Sequence, residues 1–252
     1  MNLAALNSAT KYPSIQTYHE LDPKNGGLLE TVTQFDGEVI LTEKVDGTNG
    51  RIVLMPDEDW FIGSREELLY ARGDRIGNPS QGIVDALRPL AERLGDASDQ
   101  FVMVFFLEVY GNKIGGQHRQ YTGSGEVGYR MFDLAFIPAE VLDWDRSKIA
   151  SWRDNGGQRW AVEGTLQRAA EGEQIPLVPR LAKLWDADLP SSVADTYEWL
   201  GKQLPESLAA LDDKAGKRPE GIVLRTNDRS VIAKARFQDY ERTLKRRTQG
   251  KR

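Results

Sequence analysis

The sequence predicts an α+β fold, with strands at the centre and helices outside. Three observations carry the prediction. Runs of Val, Ile, Leu and Phe recur at strand length, at 38–45, 101–110 and 128–137. Apolar residues at helical spacing mark amphipathic segments near 81–94 and 237–247. With 40% apolar and 9% aromatic residues over 252 positions, and no low-complexity stretch, the chain can bury a substantial core.

In chain order, 38–45 (EVILTEKV) and 51–55 (RIVLM) flank the turn-prone Asp46-Gly47-Thr48-Asn49-Gly50, which predicts a strand pair around a polar loop with Lys44 at the hairpin tip. A third strand follows at 60–64. Ile83, Val84, Leu87, Leu90 and Leu94 predict a helix over 81–94 that Pro89 should kink or interrupt. Residues 101–110 and 128–137 read as buried strands of the central sheet, separated by a glycine-rich polar stretch. Helices are expected at 146–155 and 192–203. Strands at 221–225 and 230–236 should be joined by the turn Thr226-Asn227-Asp228-Arg229. Phe237, Tyr240 and Leu244 then set one face of a last helix, whose outer face is cationic. With no internal repeat and no long linker, a single domain over 1–252 is expected, with 237–252 a basic C-terminal helix and tail.

The formal net charge is −5, but residues 234–252 hold eight cations against Asp239 and Glu241, a local +6. Such an end is either a phosphate-binding surface, rewarded by counterion release, or a solvated basic helix. The absence of cysteine excludes disulfides, thiolate zinc sites, iron–sulfur clusters and cysteine nucleophiles. Two histidines, His19 and His118, make a histidine-rich metal site improbable. The longest apolar run stops at Glu108, far short of the roughly 20 residues of a membrane helix. The start lacks a basic, apolar secretory pattern, so a cytoplasmic protein is expected.

The sharpest chemical signal is Glu43-Lys44-Val45-Asp46-Gly47, a lysine that ends an apolar strand and meets an acidic, glycine-containing turn. Partial withdrawal from water would favour its free amine as a nucleophile; a surface lysine in a hairpin is the plain alternative. The alternative weakens as the chain continues. Ser64-Arg65, Leu107-Glu108, Phe132-Asp133, Glu220-Gly221 and Lys234-Ala235-Arg236 each put a polar or charged group at the edge of an apolar segment.

This succession resembles the covalent nucleotidyltransferases, the superfamily of ATP-dependent RNA ligases, DNA ligases and capping guanylyltransferases. It is most similar to the phage-type RNA ligases that seal nicks in duplex RNA. Tyr12-Pro13-Ser14-Ile15 looks like their opening segment and ILTEKVDGTNGRIVL like their nucleophile motif, while FFLEVYG, YRMFDLAF, EGIVLR and VIAKAR follow in the order of their later motifs. The resemblance implies an ATP-grasp-like ligase adenylation domain of central antiparallel sheets flanked by helices. It gives Lys44 the attack on the α-phosphate of ATP and Glu43 a contact to the adenine amino group. Phe132 would stack on adenine, unless it is plain core. Arg65 and Asn49 would hold ribose and phosphate, and Glu108 the ribose or a metal-bound water. Glu220, with Glu108, would position Mg²⁺, with Mn²⁺ as a substitute. Lys234 and Arg236 would clamp the α-phosphate, although the family more often has a second lysine where Arg236 stands.

The implied reaction passes AMP from lysine to a 5′-phosphate end of RNA, in a nicked duplex or at free ends, and joins that end to a 3′-hydroxyl. Only 16 residues follow Arg236, so no C-terminal OB domain is expected and a capping enzyme is disfavoured. A minimal ATP-dependent DNA ligase is the enzyme alternative, against which Thr48-Asn49 argues. A non-catalytic nucleic-acid-binding module with the same fold is the other. Gly123-Ser124-Gly125-Glu126-Val127-Gly128 satisfies a dinucleotide-binding pattern, but it precedes a strand rather than a helix and reads as a loop.

Overall fold

Residues 2–57, 59–78, 82–95 and 100–249 are described in a computed structural model. The chain forms two units, one of Met1–Pro13, Asp46–His118 and Ser124–Leu177, the other of Ser14–Val45, Arg119–Gly123 and Val178–Arg252.

The second unit is built on a sheet of five strands in the order β1 (Gln16–Thr17), β14 (Ile232–Arg236), β13 (Gly221–Thr226), β4 (Glu38–Lys44) and β12 (Arg180–Trp185). All neighbours are antiparallel except β1 and β14. A two-stranded sheet, β2 (His19–Leu21) with β3 (Leu28–Val32), adjoins it in sequence. Alternation of side chains divides the large sheet into two faces. Val39, Leu41, Ile222, Leu224, Ala233 and Ala235 form the core face, covered by Val193 and Leu200 of α5 (Val193–Gln203) and Tyr240 of α6 (Phe237–Gln249). Thr42, Lys44, Val223, Lys234 and Arg236 lie on the other.

The first unit carries seven strands in the order β11 (Arg159–Trp160), β10 (Val127–Pro138), β9 (Phe101–Gly111), β5 (Thr48–Leu54), β6 (Trp60–Ser64), β7 (Leu68–Ala71) and β8 (Asp74–Arg75). One face packs Ile52, Ile62, Phe105 and Leu107 against Ile83, Leu87 and Leu90 of α2 (Ile83–Ala91) and Leu166 of α4 (Glu163–Gly172). On the other face Asn7 of α1 (Leu3–Ala9) bonds Arg51 of β5, and Arg153 of α3 (Arg146–Asp154) donates to the Ser8 carbonyl.

The mixed helix and antiparallel-sheet architecture is as expected, and β6, β9, β10 and the β13–β14 hairpin fall within one or two residues of the expected strands. The expected pairing of 38–45 with 51–55 is corrected. β4 lies between β13 and β12, whereas β5 lies between β9 and β6. Both strands are almost entirely buried, so each takes neighbours on both edges and neither remains for a hairpin. The link between them is short, and Gly47 in it lies against β9: a Cβ there would stand 2.3 Å from the Val109 carbonyl oxygen. Lys44 therefore ends a central strand and sits at no hairpin tip. The strands expected in the centre fall into two large sheets, in keeping with the central antiparallel sheets that the resemblance implies.

Pro89 does not interrupt α2. The helix runs through it to Ala91, because Ile83, Val84, Leu87, Leu90 and Ala91 are all buried and their packing outweighs one missing backbone bond. Gln81, at the start of the expected helix, lies outside the described residues. The helices α1 and α4 and the strands β1–β3, β7, β8, β11 and β12 had no clear sequence signal.

Candidate active site

In the second unit, register aligns the charged groups of three adjacent strands. Lys44 on β4 stands opposite Gly221 on β13, which stands opposite Arg236 on β14; one pair further along are Thr42, Val223 and Lys234. Directly opposed residues share a face, so Lys44, Lys234 and Arg236 project from the same side of the sheet. Gly221 is required where it stands, because a Cβ would lie 2.2 Å from the Ala235 carbonyl oxygen. Glu220 precedes it, and its Oε2 lies 2.6 Å from Lys44 Nζ in an ion pair whose side chains are 24% (lysine) and 11% (glutamate) exposed.

Arg236 is oriented from behind. Its Nε and Nη2 donate to the two carboxylate oxygens of Asp239, at 2.8 and 3.2 Å, and that carboxylate is almost fully buried. A guanidinium held at two points has a fixed direction. Arg180 on β12 stands opposite Thr42, while Arg225 on β13 and Lys183 on β12 stand opposite Ile40, which puts three further cationic residues on the Lys44 face. Only the pairing register reveals them.

Glu43 follows the opposite course. Alternation turns it to the core face, where it is 1% exposed. One carboxylate oxygen accepts from Ser207 Oγ at 2.5 Å and the other from the Leu208 N–H at 2.8 Å. Neither Ser207 nor Leu208 carried a sequence signal.

In the first unit, Asn49 on β5 and Arg130 on β10 both stand opposite Glu108 on β9, which makes a row of three polar groups on one sheet face. Glu108 Oε1 accepts from the Gly47 N–H at 3.0 Å, and Asp46 Oδ2 accepts from the Gln117 N–H at 2.9 Å, so the acidic turn after the lysine is held on both sides. The Asn49 side-chain oxygen is buried without a partner among the described residues, which is costly unless a donor arrives. Phe132 is the extra residue at a break in the β9–β10 register. A bulge re-aims the side chain it carries. The ring remains half-buried, edge-on to Tyr12 at 5.0 Å and stacked near Phe106 at 6.3 Å. Tyr12 in turn donates to Asp133 Oδ2 at 2.9 Å.

Arg65 follows β6 in an exposed turn. Beneath it Arg51 is fully buried and donates to the Arg65 carbonyl at 3.2 Å and to Asn7 Oδ1 at 2.5 Å. Burial pushes its guanidinium down to about 9, against the pull of Glu66. Sequence reading assigned Arg51 to a strand and gave it no task.

The cationic end is engaged rather than uniformly solvated. Arg246 donates to the Asn25 carbonyl at 2.8 Å and Arg242 to the Gly26 carbonyl at 3.1 Å, while Arg247 donates to the Leu28 carbonyl at 2.9 Å and pairs with Glu30. Lys251 and Arg252 lie outside the described residues. Among the described residues no three His, Cys, Asp or Glu side chains group to hold a metal, and no helix is long and apolar enough to cross a membrane.

A family model described as RNA ligase matches residues 37–245. Among solved structures, the fold is similar to that of a mutant Naegleria gruberi RNA ligase with ATP and Mn, with a TM-score of 0.53 and 14% identity over 92% of this chain and 61% of that one. It is also similar to an archaeal ATP-dependent RNA ligase, with a TM-score of 0.52 and 17% identity over 91% of this chain and 49% of that one. The chain thus spans about half to three fifths of the length of those ligases. No curated protein matches the sequence. The family match takes in both large sheets apart from the two-residue β1, and on it the chain belongs to the RNA ligase family.

Proposed function

We propose that the protein is an ATP-dependent RNA ligase that works through a lysyl-AMP intermediate. The observation that carries this reading is the Lys44–Glu220 contact at 2.6 Å on the sheet face that also bears Lys234 and Arg236. Lys44 Nζ attacks the α-phosphorus of ATP. The N–P bond forms as the bond to the bridging oxygen of pyrophosphate breaks, and pyrophosphate leaves. The proton that the amine must lose passes to Glu220 Oε2. Lys234, with Arg236 oriented by Asp239, offsets the charge that accumulates at phosphorus.

The resemblance assigns nucleotide contacts to the first unit, and the local geometry there is compatible. Asn49 presents an oxygen without a partner among the described residues and suited to a hydroxyl donor, Phe132 an incompletely buried ring for the base, and Arg65 an exposed guanidinium for phosphate. Carboxylate oxygens suit a hard cation that keeps most of its waters, so the Glu220 carboxylate and the Glu108 carboxylate, each within its own unit, are the groups proposed to serve Mg²⁺, which would supply charge neutralisation on the phosphates. In the second step a 5′-phosphate oxygen of RNA attacks the lysyl-AMP phosphorus, the N–P bond breaks and Lys44 is released. In the third a 3′-hydroxyl displaces AMP and forms the phosphodiester. Duplex RNA with a nick is the substrate proposed.

Incubation with α-³²P-ATP and Mg²⁺ followed by a denaturing gel tests the reading. Wild type is expected to show a labelled band that Lys44→Ala lacks, with no label from GTP. An unlabelled wild type would sink the proposal in favour of a binding module. Sealing of matched nicks with RNA or DNA on the 3′-hydroxyl side separates an RNA ligase from a DNA ligase.

A further inference from the structure

We propose that Arg51 is a positioning residue for Arg65: with Asn7 it ties the turn that carries the Arg65 guanidinium to helix α1, and so sets how tightly ATP is held. The inference rests on the ligase reading and on the nucleotide contact that the resemblance gives Arg65, and it adds a task for Arg51, Asn7 and α1.

Arg51 is a costly residue to place in a core. It lies in the middle of β5 with no exposed surface, directly opposite Gly63 on β6 and Phe106 on β9. Alternation puts it on the sheet face of Asn49 and, through the β5–β9 pairing, of Glu108. Gly63 leaves it room, because a Cβ there would stand 2.9 Å from Arg51 Nε. Both of its bonds run to neutral oxygens, and Nε has no partner among the described residues. A guanidinium buried on those terms is less favourable than an apolar chain of similar volume, so filling space does not account for it. What the guanidinium adds is a link.

The link joins three segments of the first unit. Nη1 donates to the Arg65 carbonyl at 3.2 Å and Nη2 to Asn7 Oδ1 at 2.5 Å. Asn7 Nδ2 donates in turn to the Glu66 carbonyl at 3.1 Å, and Lys11, just past α1, pairs with Glu66 Oε2 at 2.9 Å. Within the turn, Ser64 Oγ accepts from the N–H groups of Glu66 and Glu67, both at 3.2 Å. The helix is itself fixed: Arg153 donates to the Ser8 carbonyl at 2.8 Å, and Gln158 Nε2 to the carbonyls of Ala9 and Lys11 at 2.9 and 3.0 Å. The main chain of Arg65 is thus held from below, while its side chain is 48% exposed. A long exposed arginine gives up conformational freedom when it meets a ligand, and a fixed backbone lowers that cost.

The test uses the full chain, with Arg51→Met, Asn7→Ala, Arg65→Ala and the double Arg51→Met/Arg65→Ala variant. The Kd for ATP is measured by calorimetry in a Lys44→Ala background, where no covalent step can follow. With Lys44 intact, the single-turnover rate of lysyl-AMP formation is measured at saturating ATP, and Tm is recorded throughout. Methionine fills the space without a charge, so Arg51→Met is expected to melt at or above the wild-type temperature. It should nevertheless bind ATP about fivefold more weakly, the worth of one hydrogen bond, and Asn7→Ala should weaken binding by about the same factor. In both, the saturating rate should change less than the Kd. The double variant should bind no more weakly than Arg65→Ala alone, because no guanidinium is left to orient.

Wild-type affinity for ATP in either Arg51→Met or Asn7→Ala overturns the proposal, whatever the Tm. So does a double variant in which the two losses multiply, since Arg51 then acts apart from Arg65, and so does an Arg65→Ala variant that binds ATP as the wild type does. If Arg51→Met does not fold, Asn7→Ala and its own double with Arg65→Ala decide. A wild type that forms no lysyl-AMP overturns the ligase reading itself, whereas a failure confined to the variants overturns this inference alone.

Discussion

At the scale of single residues, the candidate chemistry depends on contacts that are short, few and local to each unit. The Glu220 carboxylate stands 2.6 Å from Lys44, the proposed nucleophile. Glu220→Gln keeps the shape and removes the charge. It leaves a mostly buried ammonium facing a neutral amide and is expected to cost roughly 1–3 kcal/mol of stability, while labelling by α-³²P-ATP falls far more. Equal fractional losses in Tm and labelling would assign Glu220 to structure. Gly221 makes a sharper steric prediction. Its Cβ would stand 2.2 Å from the Ala235 oxygen, so Gly221→Ala must push β13 from β14 and is expected to destabilise by roughly 1–3 kcal/mol in a denaturant titration.

Among the elements, α6 is the helix the sequence predicted, with Phe237, Tyr240 and Leu244 on its packed face, and what the structure adds is the part its cations play. Its cations were open to two interpretations, a phosphate surface or a solvated face. Arg242, Arg246 and Arg247 instead donate to the carbonyls of Gly26, Asn25 and Leu28, fastening the segment that leads into β3. Replacing Arg246 and Arg247 together by alanine should therefore lower Tm while leaving the salt dependence of RNA binding nearly as steep. A slope shallower by about two, one per lost phosphate contact, would show that the pair serves the nucleic acid instead. In α2 the same principle has the opposite sign: a helix breaker is tolerated because its neighbours Leu87 and Leu90 are buried.

For the whole molecule, two separately cored units follow from one chain that crosses between them several times. The pH response can be read from the second. Burial holds the His19 imidazole below its usual range, while the Leu29 carbonyl, which accepts from its Nδ1, and the nearby Glu30 pull it up and Arg247 opposes them. Between the native value and the unfolded 6.5 the unfolded chain binds more protons. The contribution of His19 is accordingly complete above that window and lost as pH falls through it. Asp228, held below the carboxylate range by hydrogen bonds from the Ser230 N–H and hydroxyl, acts with the same sign at lower pH. Urea titrations should show lower stability at pH 5.5 than at 7.5, and His19→Gln should flatten that difference. An undiminished difference in the variant would place the response elsewhere.

The sequence by itself determined the strands with strong local signals, the α+β class and the positions of the motif residues. Apolar runs at 101–110 and 128–137, the hairpin turn at 226–229 and the order of the motifs are properties of neighbouring residues and need no distant partner. It did not determine which strands pair. Val39–Leu41 and Ile52–Leu54 are equally apolar, and local pattern cannot say whether each seeks the other or two neighbours of its own; burial on both faces decided for two sheets. Nor did it find Ser207 and Arg180, or show that α6 holds a loop. Those depend on contacts between residues far apart in the chain, which only folding brings within hydrogen-bond reach.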